Sequence, residues 1–110
     1  MIKTLENIDN FIFASRKEAV LAFKNSSICP ISSAARHELE SWSRENSSPD
    51  IYKVTVQERR DLSNELSVKL GVEHETPQVI LVRDGKPLGV LNHYSIKKDR
   101  LDGILAKSAG

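Results

Sequence analysis

The chain is predicted to fold as an α/β domain, a four-stranded mixed sheet flanked by helices. Two observations lead there. Segments with a helical period alternate with short, β-branched apolar runs, so residues 19–56 read as a strand–helix–strand crossover with two parallel strands. Farther on, Asp84-Gly85 separates two apolar runs and marks a tight hairpin, which adds two antiparallel strands. Helices on both faces of such a sheet bury its apolar surface most economically.

The elements follow in order. From Asn7 to Arg16, Ile8, Phe11, Ile12 and Ser15 recur at helical spacing and give a first helix. Residues 19–24 form a short apolar run, read as a buried strand. From Pro30 to Arg44, Ile31, Ala35, Leu39 and Trp42 share one side of a helix, with Trp42 in the core. Glu45-Asn46-Ser47-Ser48-Pro49-Asp50 is a connecting loop. Ile51 to Val56 alternates and is β-branched, as a strand requires. From Arg59 to Leu70, Leu62, Leu66 and Leu70 repeat every fourth residue. Gly71 then suits the left-handed position that ends a helix, and Val72 the apolar contact that accompanies it. Gln78 to Arg83 and Leu88 to Asn92 are the hairpin strands. Pro87 cannot donate to a ladder, so its strand belongs at a sheet edge. Ser95 is the expected cap of a last helix carrying Ile96, Leu101, Ile104 and Leu105, although Lys97 and Lys98 oppose the dipole there.

Composition narrows the function. The 110 residues suit one domain, taken as residues 1–110. With 39% hydrophobic and 28% charged residues, the chain reads as globular rather than disordered. A net charge of +1 and no basic block argue against nucleic acid as a partner. Apolar runs such as Val79 to Val82 are far too short to cross a bilayer. Glu6, Asp9 and Arg16 surround Phe11 to Ala14, unlike the apolar core of a secretory signal. One cysteine with no export signal points to a reducing cytoplasm.

That cysteine is Cys29. It follows an apolar strand and a short polar loop, and Pro30 opens the next helix, at the position where a missing N–H costs nothing. The free N–H groups of a first helical turn carry partial positive charge, which stabilises a thiolate set against them. The thiolate is the species that attacks disulfides. A lone cysteine is often just a small buried hydrophobe, but the strand–loop–Cys–Pro–helix setting favours a reactive thiol. With no second cysteine in the chain, any disulfide it makes joins another molecule. Ser32, three residues on, lies near Cys29 and has two readings: a hydrogen-bond donor to the thiolate, or an ordinary serine bonded to backbone. Thr76-Pro77-Gln78 places a proline directly before the hairpin, where cis bonds serve tight turns. His37, His74 and His93 are too scattered for a zinc set. His37 lies about 12 Å along the helix from Cys29, too far to act as its base. His74 and Glu75 are loop residues close enough to Thr76 to touch a ligand. Lys24 leads from the first central strand towards the Cys29 loop.

Together, Phe23-Lys24, Cys29-Pro30-Ile31-Ser32, Gly71-Val72, His74-Glu75-Thr76-Pro77-Gln78 and Asp84-Gly85-Lys86 resemble the thioredoxin superfamily, and within it the YtxJ-like bacilliredoxins of the bacillithiol system. The resemblance spans the chain from the first helix to the last. Ile28 departs from it, where a small hydroxyl residue is expected. The resemblance implies a thioredoxin-like fold with Pro77 cis and facing Cys29. It implies a monothiol oxidoreductase that removes bacillithiol from mixed disulfides on cytoplasmic proteins, with Cys29 as nucleophile and Ser32 assisting. Pro30, Ile31, Thr76, Pro77 and Gln78 would contact substrate, with the Thr76 backbone pairing to the client as an added strand. The partners implied are S-thiolated client proteins and a small thiol, bacillithiol or another, as co-substrate. No tightly bound cofactor, metal or membrane is implied, and a monomer is expected. Three alternatives stay open: a glutaredoxin-like protein using another small thiol, a carrier that presents Cys29 to an iron–sulfur cluster, and a thioredoxin-fold scaffold whose cysteine is inert.

Overall fold

A computed structural model describes residues 2–108. The elements are β1 (Ile2–Thr4), α1 (Ile8–Lys17), β2 (Val20–Asn25), α2 (Pro30–Glu45), β3 (Ile51–Thr55), α3 (Arg60–Leu70), β4 (Gln78–Arg83), β5 (Lys86–Asn92), a 3₁₀ turn (His93–Ser95) and α4 (Lys98–Ala106). The sheet runs in the order β1-β3-β2-β4-β5. β3 pairs in parallel with both β1 and β2, and the β4–β5 hairpin adds antiparallel to β2.

Alternation along the central strands splits the core. Val20, Ala22, Ile80 and Val82 face a cluster with Phe11 of α1 and Leu66 of α3. Leu21, Phe23, Val79 and Leu81 face the other side, with Leu39 of α2 and Leu101 of α4. A strand packed on both faces reads as a continuous apolar run, which is why β2 and β4 look as they do in sequence. Trp42 is 1% exposed and donates its indole N–H to Asp102 at 2.9 Å.

Local chemistry sets the ends of most elements. The Asn7 side chain accepts the Asn10 N–H at 2.8 Å and starts α1. Gly71 takes the left-handed conformation at φ 66°, and Val72 N–H returns to Ser67 O at 3.1 Å, closing α3 as its sequence predicts. Asp84 and Gly85 both have positive φ, 54° and 71°, as the two-residue hairpin requires. β5, which carries Pro87, is an edge strand. The peptide bonds before Pro49 and Pro77 are cis.

Two expectations need correction. The sheet has five strands, not four. β1 is three residues long, too short to display a period, and is recruited by pairing Ile2 with Ile51. The Leu5 N–H extends the ladder by donating to Lys53 O at 2.8 Å. Nor does Ser95 cap the last helix. It lies in the 3₁₀ turn, and α4 begins at Lys98, whose N–H donates to the Glu38 carboxylate of α2 at 3.1 Å. A carboxylate 60 residues away in sequence does the work of a local cap and also offsets the lysines at that end. Among the described residues no helix is long and apolar enough to cross a membrane.

Candidate active site

The sheet register gathers the candidate residues. Lys24 near the end of β2 stands opposite Gln78 at the start of β4, and Gln78 opposite Asn92 at the end of β5. The loop leaving β2 with Cys29, the loop entering β4 with Thr76 and Pro77, and the turn after β5 therefore share one edge of the sheet. The His93 N–H, donating to Pro77 O at 2.9 Å, ties two of them together.

Cys29 is the residue immediately before α2, with extended backbone (φ −100°, ψ 123°), a free thiol and partial exposure. Its carbonyl accepts the Ser33 N–H at 3.1 Å, while its side chain makes no capping bond. The sulfur thus stands at the positive end of a 16-residue helix and is not consumed in holding that helix together. Pro30 is exposed and Ile31 partly so, while Ile28 projects outward at 81% exposure.

The loop beneath the thiol is held by neutral hydrogen bonds. Ser32 is fully buried and its Oγ accepts the Ser26 N–H at 3.2 Å, so its observed partner is backbone. The Ser27 N–H donates to Gln57 Oε1 at 3.1 Å, and Gln57 Nε2 donates to Ser26 Oγ at 2.7 Å. Gln57 is absent from the sequence-based candidates. It follows β3 at no recognisable spacing from Cys29, and only the fold brings it there.

The loop entering β4 is held differently. Gln78, 1% exposed, sits under the loop rather than on it. Its Nε2 donates to Glu73 O at 2.9 Å and to Asn92 Oδ1 at 3.0 Å, and its buried Oε1 has no partner among the described residues. Pro77 is buried and Thr76 partly exposed. Glu75 pairs with His93 at 3.0 Å. Lys24, near the end of the central strand β2, is 0% exposed. Its ammonium donates to Ser67 Oγ of α3 and lies 3.0 Å from His74 Nδ1. Burial alone pushes its pKa down to about 8 from the usual 10.5. Burial, then the Lys24 charge, push His74 below its usual 6.5. His74 Nε2 in turn lies 3.2 Å from Thr76 Oγ1. A charged residue inside the apolar run of β2 was the one sequence signal of this cluster. His37 is exposed on α2 and belongs to neither loop.

A partly exposed thiol at a helix start, at the same end of the sheet as the loop preceding β4, is equipped for nucleophilic exchange with a disulfide. Known proteins agree. The chain matches a candidate oxidoreductase with a thioredoxin fold at 28% identity and TM-score 0.85, over 94% of this chain and 93% of that one. More distant matches show the fold alone. Fasciola hepatica thioredoxin is 14% identical at TM-score 0.73, over 91% and 89% of the two chains. Saccharomyces cerevisiae mitochondrial thioredoxin 3 is 19% identical at TM-score 0.74, over 96% and 94%. The fold is thioredoxin-like, and thiol redox chemistry is the class to which it points. Residues 1–101 match the monothiol bacilliredoxin BrxC family, and the chain belongs to that family.

Proposed function

We propose that the protein is a monothiol oxidoreductase that strips bacillithiol from mixed disulfides on cytoplasmic proteins, with Cys29 as its nucleophile. The observation that supports this most is the position of Cys29, directly ahead of Pro30 at the start of α2 with its sulfur free of any capping role. The thiolate attacks the bacillithiol sulfur of the mixed disulfide. A Cys29–bacillithiol S–S bond forms as the client S–S bond breaks, and the client leaves as a thiolate that takes a proton from water. Cys29 is the chain's only cysteine, so a second thiol from solution must attack this adduct to return the free thiol. That thiol ends in a disulfide with bacillithiol, which balances the reduction of the client.

The exposed Pro30 and the partly exposed Ile31 and Thr76 are the proposed substrate contacts. Pro77, buried behind Thr76, and Gln78, beneath the loop, support that surface. The test is release of free client thiol from a bacillithiolated protein in the presence of excess bacillithiol. Wild type should turn over, and Cys29→Ala should be inactive while keeping its circular dichroism spectrum. Turnover by the folded Cys29→Ala variant would eliminate the proposed nucleophile.

A further inference from the structure

The polar cluster that runs from the buried Lys24 to the exposed His74 has a direction. A lysine ammonium can only donate, so at 3.0 Å from His74 Nδ1 it requires that nitrogen to be the acceptor. The ring proton then lies on Nε2, which faces Thr76 Oγ1 at 3.2 Å. Thr76 Oγ1 accepts that proton, leaving its own hydrogen free to donate. Ser67 fixes the other side, since its Oγ accepts from Lys24 and donates to Ser63 O at 3.4 Å. Gln78, opposite Lys24 on the same face of the sheet, contributes an unpartnered buried oxygen to this polar row.

Building on the function proposed above, we infer that Lys24 and His74 are positioning residues that hold the Thr76 hydroxyl as a donor towards an acceptor on the bound mixed disulfide. The direction of the chain is the point. Lys24 sets the His74 tautomer, His74 orients Thr76, and Thr76 precedes Pro77 at the same sheet edge as Cys29. A buried ammonium without a carboxylate partner is a poor stabilising device, but it cannot be turned round, as an amide or hydroxyl can. The charges acting on the imidazole are Lys24 from β2 and Arg60 from α3, which oppose its protonation, and Glu75 from its own loop, which favours it. Protonating His74 makes Nδ1 a donor facing another donor, so the relay fails in acid.

Imidazole ¹⁵N NMR on the whole protein tests the relay independently of turnover. At pH 7 His74 should be the Nε2–H tautomer, and Lys24→Met should give a mixture. An Nδ1–H ring, or an imidazolium, in wild type at that pH would overturn the relay. Turnover of a bacillithiolated client supplies the second arm. Thr76→Val and Lys24→Met should each lower kcat/KM about tenfold, the scale of one hydrogen bond. Thr76→Ser should restore most of it, and the kcat/KM of wild type should fall as pH drops below 6.5, a limb lost in Thr76→Val. Folded Thr76→Val at wild-type kcat/KM would refute the role. Failure of wild type itself to turn over would refute the proposed function instead, leaving the tautomer result to stand alone.

Discussion

Two loops share the thiol's end of the sheet, and they are held by opposite kinds of chemistry. Residues 26–29 are fastened by neutral groups, the Ser32 hydroxyl and the Gln57 amide. Residues 73–77 rest on a buried cation, a neutral imidazole and the amide of Gln78. The first arrangement joins the loop to the start of α2 and to Gln57 after β3 through groups that do not titrate near neutral pH. The second draws on β2, α3 and β4 at once and responds to proton concentration. Fixing a nucleophile at a helix start needs only backbone geometry, whereas orienting a single hydroxyl next to the substrate calls for a group whose polarity cannot reverse.

The contrast can be broken most sharply at Lys24. Moving its pKa from 10.5 to about 8 corresponds to roughly 3 kcal/mol of penalty on the charged form. Lys24→Met should therefore raise stability at pH 7 by about 1–3 kcal/mol even as it impairs turnover. The sign follows from linkage. In wild type the folded-state pKa is depressed, so the unfolded chain binds more protons between about pH 8 and 10.5 and wild-type stability rises there. The advantage of Lys24→Met should shrink across that window in urea titrations, and a constant gap would show that the ammonium is not desolvated.

Ser32→Ala should cost about 1–2 kcal/mol by stranding the Ser26 N–H, with no dependence on pH between 6 and 8. A pH-dependent loss would mean that Ser32 is coupled to a titrating group and that the neutral character of this loop is mistaken. Gln57→Ala should have the smallest effect, less than about 1 kcal/mol, because its amide is exposed and water can replace it. Hydrogen exchange at the Ser27 amide should nevertheless quicken, and unchanged exchange would remove Gln57 from the loop's support.

The sequence reveals what is periodic or local. Leu62, Leu66, Leu70 and Gly71 announce α3 and its end because side-chain period and left-handed closure are properties of neighbouring residues. Cys29-Pro30 announces the thiol at a helix start for the same reason. The reading stops where partners are distant. Lys24 meets Ser67 and His74 across 43 and 50 residues, and α4 borrows its cap from Glu38 across 60. β1 escapes because three residues carry no period and their pairing partner is β3. Ser32 lies in the first turn of α2, yet its partner is the Ser26 N–H, a loop bond that spacing from Cys29 does not foretell.

The proposed function rests on one sulfur, that of Cys29, taking up the small thiol and holding it. Intact-mass analysis after mixing the reduced protein with one equivalent of a bacillithiolated client measures that transfer directly. A single bacillithiol adduct on the protein, mapped to Cys29, is expected, with an equal amount of client freed of its modification. A client that keeps its adduct while Cys29 stays unmodified would contradict it.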